Sequence, residues 1–335
     1  KCGKPKMKLK GKKFQGALRI IKKLRSSGYR AYLVGGCVRD ILLGKEPEDF
    51  DIATDALADI TEKLFRSTKP VGKQFGVMIV IVNRIPYEVA TFRVDADYSD
   101  GRRPDNVSFG TPEMDALRRD FTINGLFYDP IEDKVIDYIG GKKDLKNRVI
   151  RAIGDPIERF NEDKLRMLRA VRFASTLGFE IERRTLEAIK EKAKEINQVS
   201  MERLRDELIK MLTRSGASDG LELLYKTGLL KLILPEVEEL VRIKQPPQFH
   251  PTKNAFEHTR ILFNYLKNPA PRLAMAALLN DIGKTRTMTE TDRIRFHNHD
   301  NVGANMAYKI LKRLKFSNDD IKFVTRYIKN HMKFI

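Results

Sequence analysis

Cysteine is scarce: the 335 residues hold two, Cys2 and Cys37, and neither has a neighbour at C-x-x-C spacing. That excludes a disulfide scaffold and a cysteine zinc cluster, and fits a reducing compartment. No apolar run approaches the roughly 18 residues a bilayer span needs. The opening stretch, Lys1 to Lys13, lacks the apolar core of a secretory signal. A soluble, cytoplasmic chain is expected. Acid is short relative to base, with 45 Asp and Glu against 64 Lys and Arg, a net charge of +19. The surplus points to a polyanion such as nucleic acid, because each cation placed on a phosphate releases counterions. A solubilising surface, or the Lys/Glu richness of a thermophile, would leave the same trace.

What is present suffices for folding: 41% of residues are hydrophobic and 33% charged. The length exceeds one ordinary core, so two or more domains are expected. The chain begins with Lys and stops at Ile335 within a helical pattern, which reads as a fragment. Residues 1–13 form a basic tail. Phe14, Leu18, Ile21 and Leu24 recur at helical spacing, closed by Ser26-Ser27-Gly28. Ala31 to Val34 reads as a buried strand running into Gly35-Gly36, with a helix from Val38 to Leu43. Phe50 and Ile52 alternate with Asp49 and Asp51 as on a strand, and a helix with Leu57, Ile60 and Leu64 follows. Gly76 to Val82 and Tyr87 to Phe92 are strand-like and joined by a turn at Asn83 to Pro86. From about Ile157 onward the pattern is helical, as in Arg183 to Ile196 and Met201 to Leu212. Gly140-Gly141 and Asp155-Pro156 are the expected joints. The fold class is therefore α+β: an N-terminal palm, a mixed sheet with helices, followed by an all-α region.

Two constellations suggest chemistry. In Asp49-Phe50-Asp51 two carboxylates share one strand face, the oxygen-rich arrangement that chelates a hard divalent cation, Mg²⁺ above all. Two such ions would activate a 3′-hydroxyl and shepherd pyrophosphate in an in-line displacement at an α-phosphate. Glu88, exposed on a neighbouring strand by the same alternation, is the expected third catalytic ligand. Solvated acids at a strand end are the plain alternative. In Val34-Gly35-Gly36-Cys37-Val38-Arg39-Asp40, the glycines let the backbone approach phosphate oxygens and Arg39 adds a guanidinium fork; the plain alternative is an ordinary tight turn. A phosphate cradle followed some ten residues later by D-x-D makes a nucleotide-plus-metal arrangement.

These residues resemble a known family. Leu33 to Asp40 with Asp49 to Thr54, then Glu88 to Arg93, Arg118-Arg119-Asp120-Phe121-Thr122-Ile123-Asn124 and Glu162-Asp163-Lys164-Leu165-Arg166 are similar to the linked motifs of class II CCA-adding and A-adding tRNA nucleotidyltransferases and bacterial poly(A) polymerases, within the DNA polymerase beta superfamily. The resemblance covers roughly residues 14–215 in order. It implies template-independent transfer from CTP, ATP or both to the tRNA 3′ end, as CCA or as the terminal A alone. It also implies a nucleotidyltransferase head (14–148), a base-reading neck (149–216) and a helical body (217–335). By analogy Asp120 and Asn124 flank sugar and phosphates beside the strand-like Phe121 to Tyr128, and Arg118 and Arg119 contact the nucleotide. Asp95 to Pro112, with Ser99 to Asp105, would be the flexible loop tied to switching from C to A.

The neck motif also has a physical reading. Met167, Ala170, Val171 and Ala174 form an apolar stripe at about 100° per residue, with Asp163 one turn earlier and Arg166 at its edge. The pair could be a structural salt bridge. Alternatively, Arg donates and Asp accepts, matching the ring nitrogen and amino group that cytosine and adenine share and that uracil and guanine lack. Arg169 and Arg172 project from later turns toward triphosphate or primer. The basic helical half would hold the tRNA acceptor and TΨC region through shape and phosphate contacts.

His258, Asn280-Asp281 and His299 resemble the skeleton of an HD metal phosphohydrolase, with Asn280 where that pattern has His; His250, His297 and His331 lie near in sequence. An HD-like helical body or a residual phosphatase are both open. Alternatives to CCA or A addition are a poly(A) polymerase, an HD phosphohydrolase and a catalytically dead RNA-binding protein; the retained carboxylates argue against the last two.

Overall fold

The computed structural model describes residues 11–96, 106–245, 252–290 and 293–334. Most of the basic tail, the Ser99 to Asp105 stretch and His250 lie outside them. The chain divides into two compact units, one ending at Glu162 and the other beginning at Asp163.

In the first unit, α1 (Lys12–Ser26) turns Phe14, Ala17, Ile20, Ile21 and Leu24 to one buried face. There follow β1 (Ala31–Val34), α2 (Gly36–Leu42), β2 (Asp51–Thr54), α3 (Ala58–Leu64), β3 (Thr68–Gly72), β4 (Val77–Val82), β5 (Ile85–Thr91), β6 (Arg93–Ala96), β7 (Asn106–Phe109), α4 (Pro112–Leu117), β8 (Phe127–Asp129), β9 (Lys134–Ile136), α5 (Gly141–Asn147) and α6 (Pro156–Glu162). Seven strands form one mixed sheet in the order β3-β4-β5-β2-β1-β8-β9. β2 and β5 pair in parallel, and the other neighbours pair antiparallel. At its heart Tyr32, Phe92 and Phe127 stand with centroids 6.2 Å apart, packed with Val34, Ala53 and Ala116. Each fully buried Phe contributes about 1.5–3 kcal/mol by leaving water.

Several boundaries depart from the sequence pattern for identifiable reasons. Asp49 and Phe50 precede β2 rather than lying in it, because the partner strand β1 ends at Val34, paired with Asp51. The alternation survives all the same: Phe50 and Ile52 are buried while Asp49 and Asp51 reach solvent. The β4–β5 turn is two residues, not four, since Asn83 and Arg84 adopt φ of 54° and 65°, the left-handed pair of a tight hairpin. Pro86 is tolerated in β5 because it lies beyond the reach of β2, whose pairing begins at Val89. α2 starts two residues earlier than expected, and Leu57 caps α3 from outside, exposed.

The strand expected over Phe121 to Tyr128 is broken. Phe121 makes an isolated bridge, Thr122–Asn124 form a 3-10 turn, and β8 starts only at Phe127. Side chains compete with the ladder there: Thr122 Oγ1 donates to Asp144 at 2.8 Å and Asn124 Nδ2 to Asp120 at 3.0 Å. Neither expected joint separates the units. Gly140-Gly141 begins α5, and Asp155 accepts from Ile157 N at 2.9 Å at the start of α6.

The second unit runs α7 (Leu165–Leu177), α8 (Arg183–Lys192), α9 (Met201–Leu212), α10 (Ala217–Lys226), α11 (Leu229–Ile233), α12 (Pro235–Glu239), α13 (Ala255–Tyr265), α14 (Pro271–Leu279), α15 (Lys284–Thr287), α16 (His299–Arg313) and α17 (Asn318–Asn330). Its helical character is interrupted by the two-residue strand Glu180–Ile181 and by a hairpin pairing Met288–Glu290 with Ile294–Phe296. Among the described residues no helix is long and apolar enough to cross a membrane.

Gly141 brings α5 against the Thr122–Asn124 turn so closely that a Cβ there would lie 2.2 Å from the Thr122 carbonyl oxygen. Backbone cannot step aside as a side chain can. Gly141→Ala is expected to lose about 1–3 kcal/mol of stability, read as a lower denaturation midpoint at unchanged slope.

Candidate active site

Strand register places the carboxylates of the first unit. β1 and β2 end together at Val34 and Asp51, and β5 runs parallel to β2 with Val89 opposite Ile52, so Glu88 flanks Asp51 one step earlier. Both are exposed at the end of buried strands. Although Asp51 reaches solvent, protein crowds its carboxyl; that desolvation first, then the charges of Glu88 and Asp49 against the relief given by Arg119, raise its pKa to about 6. Among the described residues the three carboxylates are not drawn within 4.8 Å of one another. Asp49 is almost wholly exposed and leans to Lys13, whose Nζ lies 3.8 Å from Oδ1. Like charges keep such a cluster open, and a hard cation is the counter-charge that an all-oxygen set favours.

Beside them the chain leaves β1 through Gly35, with φ 74° and ψ −136°, a conformation that only glycine takes without strain. Around this turn the predicted nucleotide residues interlock. Arg39 Nη1 donates to Asn124 Oδ1 at 2.8 Å, its Nε donates to Asp40 at 2.8 Å, and Asn124 Nδ2 donates to Asp120. Arg119 stands so near that a Cβ on Gly35 would lie 3.1 Å from its Nη1.

Sequence reading overlooked the residue that aims the arginines. Asp115 on α4 is 1% exposed; Arg118 Nη2 donates to its Oδ1 at 2.6 Å and Arg119 Nη2 to its Oδ2 at 2.9 Å. Burial opposes its ionisation, but the charges of Arg119 and Arg118 and their hydrogen bonds outweigh it, holding the carboxyl below the usual range. The i, i+3 and i, i+4 spacing to Arg118 and Arg119 was the available signal.

In the second unit Asp163 sits before α7, not on its stripe. The helix starts at Leu165, whose N–H donates to Asp163 Oδ1 at 3.1 Å. Its ion pair comes from Arg203 of α9, Nη2 to Oδ2 at 2.7 Å, a partner no local spacing reveals. Arg166 is buried on the first turn of α7. Arg172 Nε donates to Glu207 at 2.5 Å, Arg169 Nη1 lies 3.6 Å from the same carboxylate, and both guanidinium groups lie over Phe173, at 3.9 Å and 5.2 Å. Burial opposes the charge on Glu207 as well, and Arg172, Arg169 and Lys210 outweigh it, so its pKa is lowered. A Glu in the apolar stripe of Leu204, Leu208 and Met211 was the sign in the sequence.

Because the folded pKa of Asp51 is raised, ionising it costs folded stability: the cost sets in as pH rises past the unfolded value near 4 and is complete above the folded one. Without divalent ions, Asp51→Asn is therefore expected to melt higher than the parent near neutral pH. The gap should close at about pH 4; thermal melts across pH read it directly.

The chain is similar to known proteins in both sequence and fold. Residues 31–151 match the Poly A polymerase head domain, and residues 178–240 match a probable RNA and SrmB-binding site of polymerase A. A CCA-adding enzyme of Geobacillus sp. (strain WCH70) is 47% identical over 227 residues, 68% of this chain and 56% of the relative. One of Bacillus pumilus (strain SAFR-032) is 44% identical over the same length. The chain thus spans little more than half of the curated relatives it matches. The crystal structure of Bacillus stearothermophilus CCA-adding enzyme in complex with CTP superposes with a TM-score of 0.66 at 30% identity, covering 95% of this chain and 78% of that one. The chain belongs to the CCA-adding enzyme family.

Proposed function

We propose that the protein transfers nucleotides from CTP, ATP or both to the 3′ end of tRNA. The observation that carries this is the meeting of Asp51, Glu88 and Arg119 beside the Gly35 turn, in a chain whose relative is described in complex with CTP. A Thermotoga maritima CCA-adding enzyme with the same fold is described as complexed with tRNA_CCA.

Asp49 and Asp51, with Glu88, would hold Mg²⁺, a role that suits oxygen donors where desolvation first, and then the neighbouring carboxylates, already lift the Asp51 pKa. Bound there, Mg²⁺ supplies Lewis-acid charge for in-line displacement at the α-phosphate. Gly35 and Gly36 let triphosphate oxygens approach the backbone, and Arg39, Arg118 and Arg119 bring charge-assisted hydrogen bonds to them. Asp115 keeps both arginines aimed, and Asp120 and Asn124 brace Arg39 and border the sugar. In the neck, Asp163 accepts from the base amino group while Arg166 donates to the ring nitrogen, so cytosine and adenine are chosen without a template. Arg203 anchors the Asp163 carboxylate through its 2.7 Å ion pair. Arg169 and Arg172, anchored on Glu207, face triphosphate or primer. The division of labour is a head over 14–148, a neck over 149–216 and a body over 217–335.

The test is extension of tRNA transcripts ending before the CCA triplet, after its second C, or complete, with CTP and ATP supplied singly and together in Mg²⁺. Repair of every truncated end marks CCA addition, and extension of the second alone marks A addition. Long tails on the complete transcript would replace the proposal with poly(A) synthesis. Asp51→Ala is expected to abolish transfer while tRNA binding persists; parallel loss of binding would refute the ligand role.

Arg166→Ala is expected to relax base choice more than it weakens triphosphate binding. Arg203→Ala should move the same way, and Arg203→Lys should recover part of the selectivity. Misincorporation of UTP and GTP reads both; wild-type selectivity in Arg166→Ala would sink the base-reading role.

A further inference from the structure

The first turn of α1 is built onto the two strands that carry the carboxylates. Two contacts pin it, each one residue from an expected metal ligand. The Phe14 ring packs against Phe50, which follows Asp49, with centroids 5.9 Å apart. Tyr87, which precedes Glu88 on β5, donates its hydroxyl to the Lys13 carbonyl oxygen at 2.9 Å. The second contact needs Gly16, where a Cβ would lie 2.0 Å from the Tyr87 hydroxyl oxygen. Phe14, Gly16 and Tyr87 are all buried. Helix ends commonly fray, but here core packing fixes the backbone of residue 13.

Held there, Lys13 turns its side chain to the segment that leads into β2. Its Nζ donates to the Glu48 carbonyl oxygen and lies 3.8 Å from Asp49 Oδ1. Lys12 and Lys13 open α1, whose first turn holds no acid, and a cation at a helix N-terminus opposes the macrodipole. Acceptors from outside the helix offset that placement, and Glu48 and Asp49 supply them to Lys13. Both members of the pair stay exposed to solvent, where an ammonium and a carboxylate attract weakly. A divalent ion meets the same carboxylate with twice the charge. The contact is thus strong enough to bias Asp49 and weak enough to give way.

We propose that Lys13 is a positioning residue: its ammonium is the resident counter-charge of Asp49 and competes with a divalent cation for that carboxylate. The inference rests on Asp49, Asp51 and Glu88 being metal ligands. It accounts for their open arrangement, since Asp49 is drawn toward α1 while Asp51 and Glu88 are set by the pairing of β2 with β5. Lys13 thereby raises the concentration of divalent cation at which the carboxylates are engaged.

The full chain is stripped with a chelator and titrated with Mn²⁺, which takes the oxygen donors that suit Mg²⁺. Free ion is counted by electron paramagnetic resonance, without nucleotide or tRNA. The binding that Asp51→Asn removes is the component of interest. In Lys13→Gln that component is expected to tighten about two- to five-fold. Lys13→Arg, which keeps the charge, should stay at the parent value, as should Lys12→Gln, which removes the same charge one residue away. In an Asp49→Asn background Lys13→Gln should change nothing. Unchanged affinity in Lys13→Gln overturns the inference, as does an equal gain in Lys12→Gln or a gain that persists without the Asp49 carboxylate. If Asp51→Asn removes no Mn²⁺ from the parent, the carboxylates are not metal ligands and the proposed function loses its metal site along with this inference.

Discussion

The parallel pairing of β2 with β5 is the constraint on which the candidate active site depends. An antiparallel neighbour would place other residues beside Asp51; the parallel register with Val89 opposite Ile52 brings Glu88 there, at the same strand end as the Gly35 turn. Burial of Ile52, Val89 and Leu33 holds that register, since a slip by one residue would turn the carboxylates into the core. The sheet therefore does electrostatic work: it desolvates the Asp51 carboxyl and keeps Glu88 near it, and the two together lift its pKa to about 6.

A second device recurs in the two units. Asp115 in one and Glu207 in the other are nearly inaccessible carboxylates, each gripping two arginines. A buried charge is costly unless paired, and here Asp115 meets two cations and Glu207 three, so burial becomes a means of orienting long side chains. Free arginines would lose rotamer entropy on meeting a phosphate; anchored ones have lost much of it in folding. The buried acids account for the direction of these basic side chains.

Local pattern made much of the fold legible. Alternation revealed the exposed faces of Asp49, Asp51 and Glu88, and the spacing of Phe14 to Leu24 revealed α1. Reading faltered where side chains bond locally against the ladder, as at Thr122 and Asn124, and where a strand ends because its partner ends, as at Asp49. Asp163 was misplaced onto the α7 stripe for a related reason. Its carboxylate accepts from Leu165 N just ahead of the helix, and its partner Arg203 is 40 residues away.

By itself the sequence determined the chemistry on offer: oxygen ligands at D-x-D spacing, glycines where the backbone must bend, a positive surplus suited to RNA, and an order of motifs shared with a family. Those are properties of residue type and short spacing, and periodicity conveys them. Tertiary structure decided which groups meet. It put Glu88 beside Asp51, gave Asp163 to Arg203, set Asp115 behind two arginines, and brought the Nε2 atoms of His299 and His331, 32 residues apart in the chain, to 3.3 Å. Such meetings follow from register and helix packing, which local periodicity does not encode.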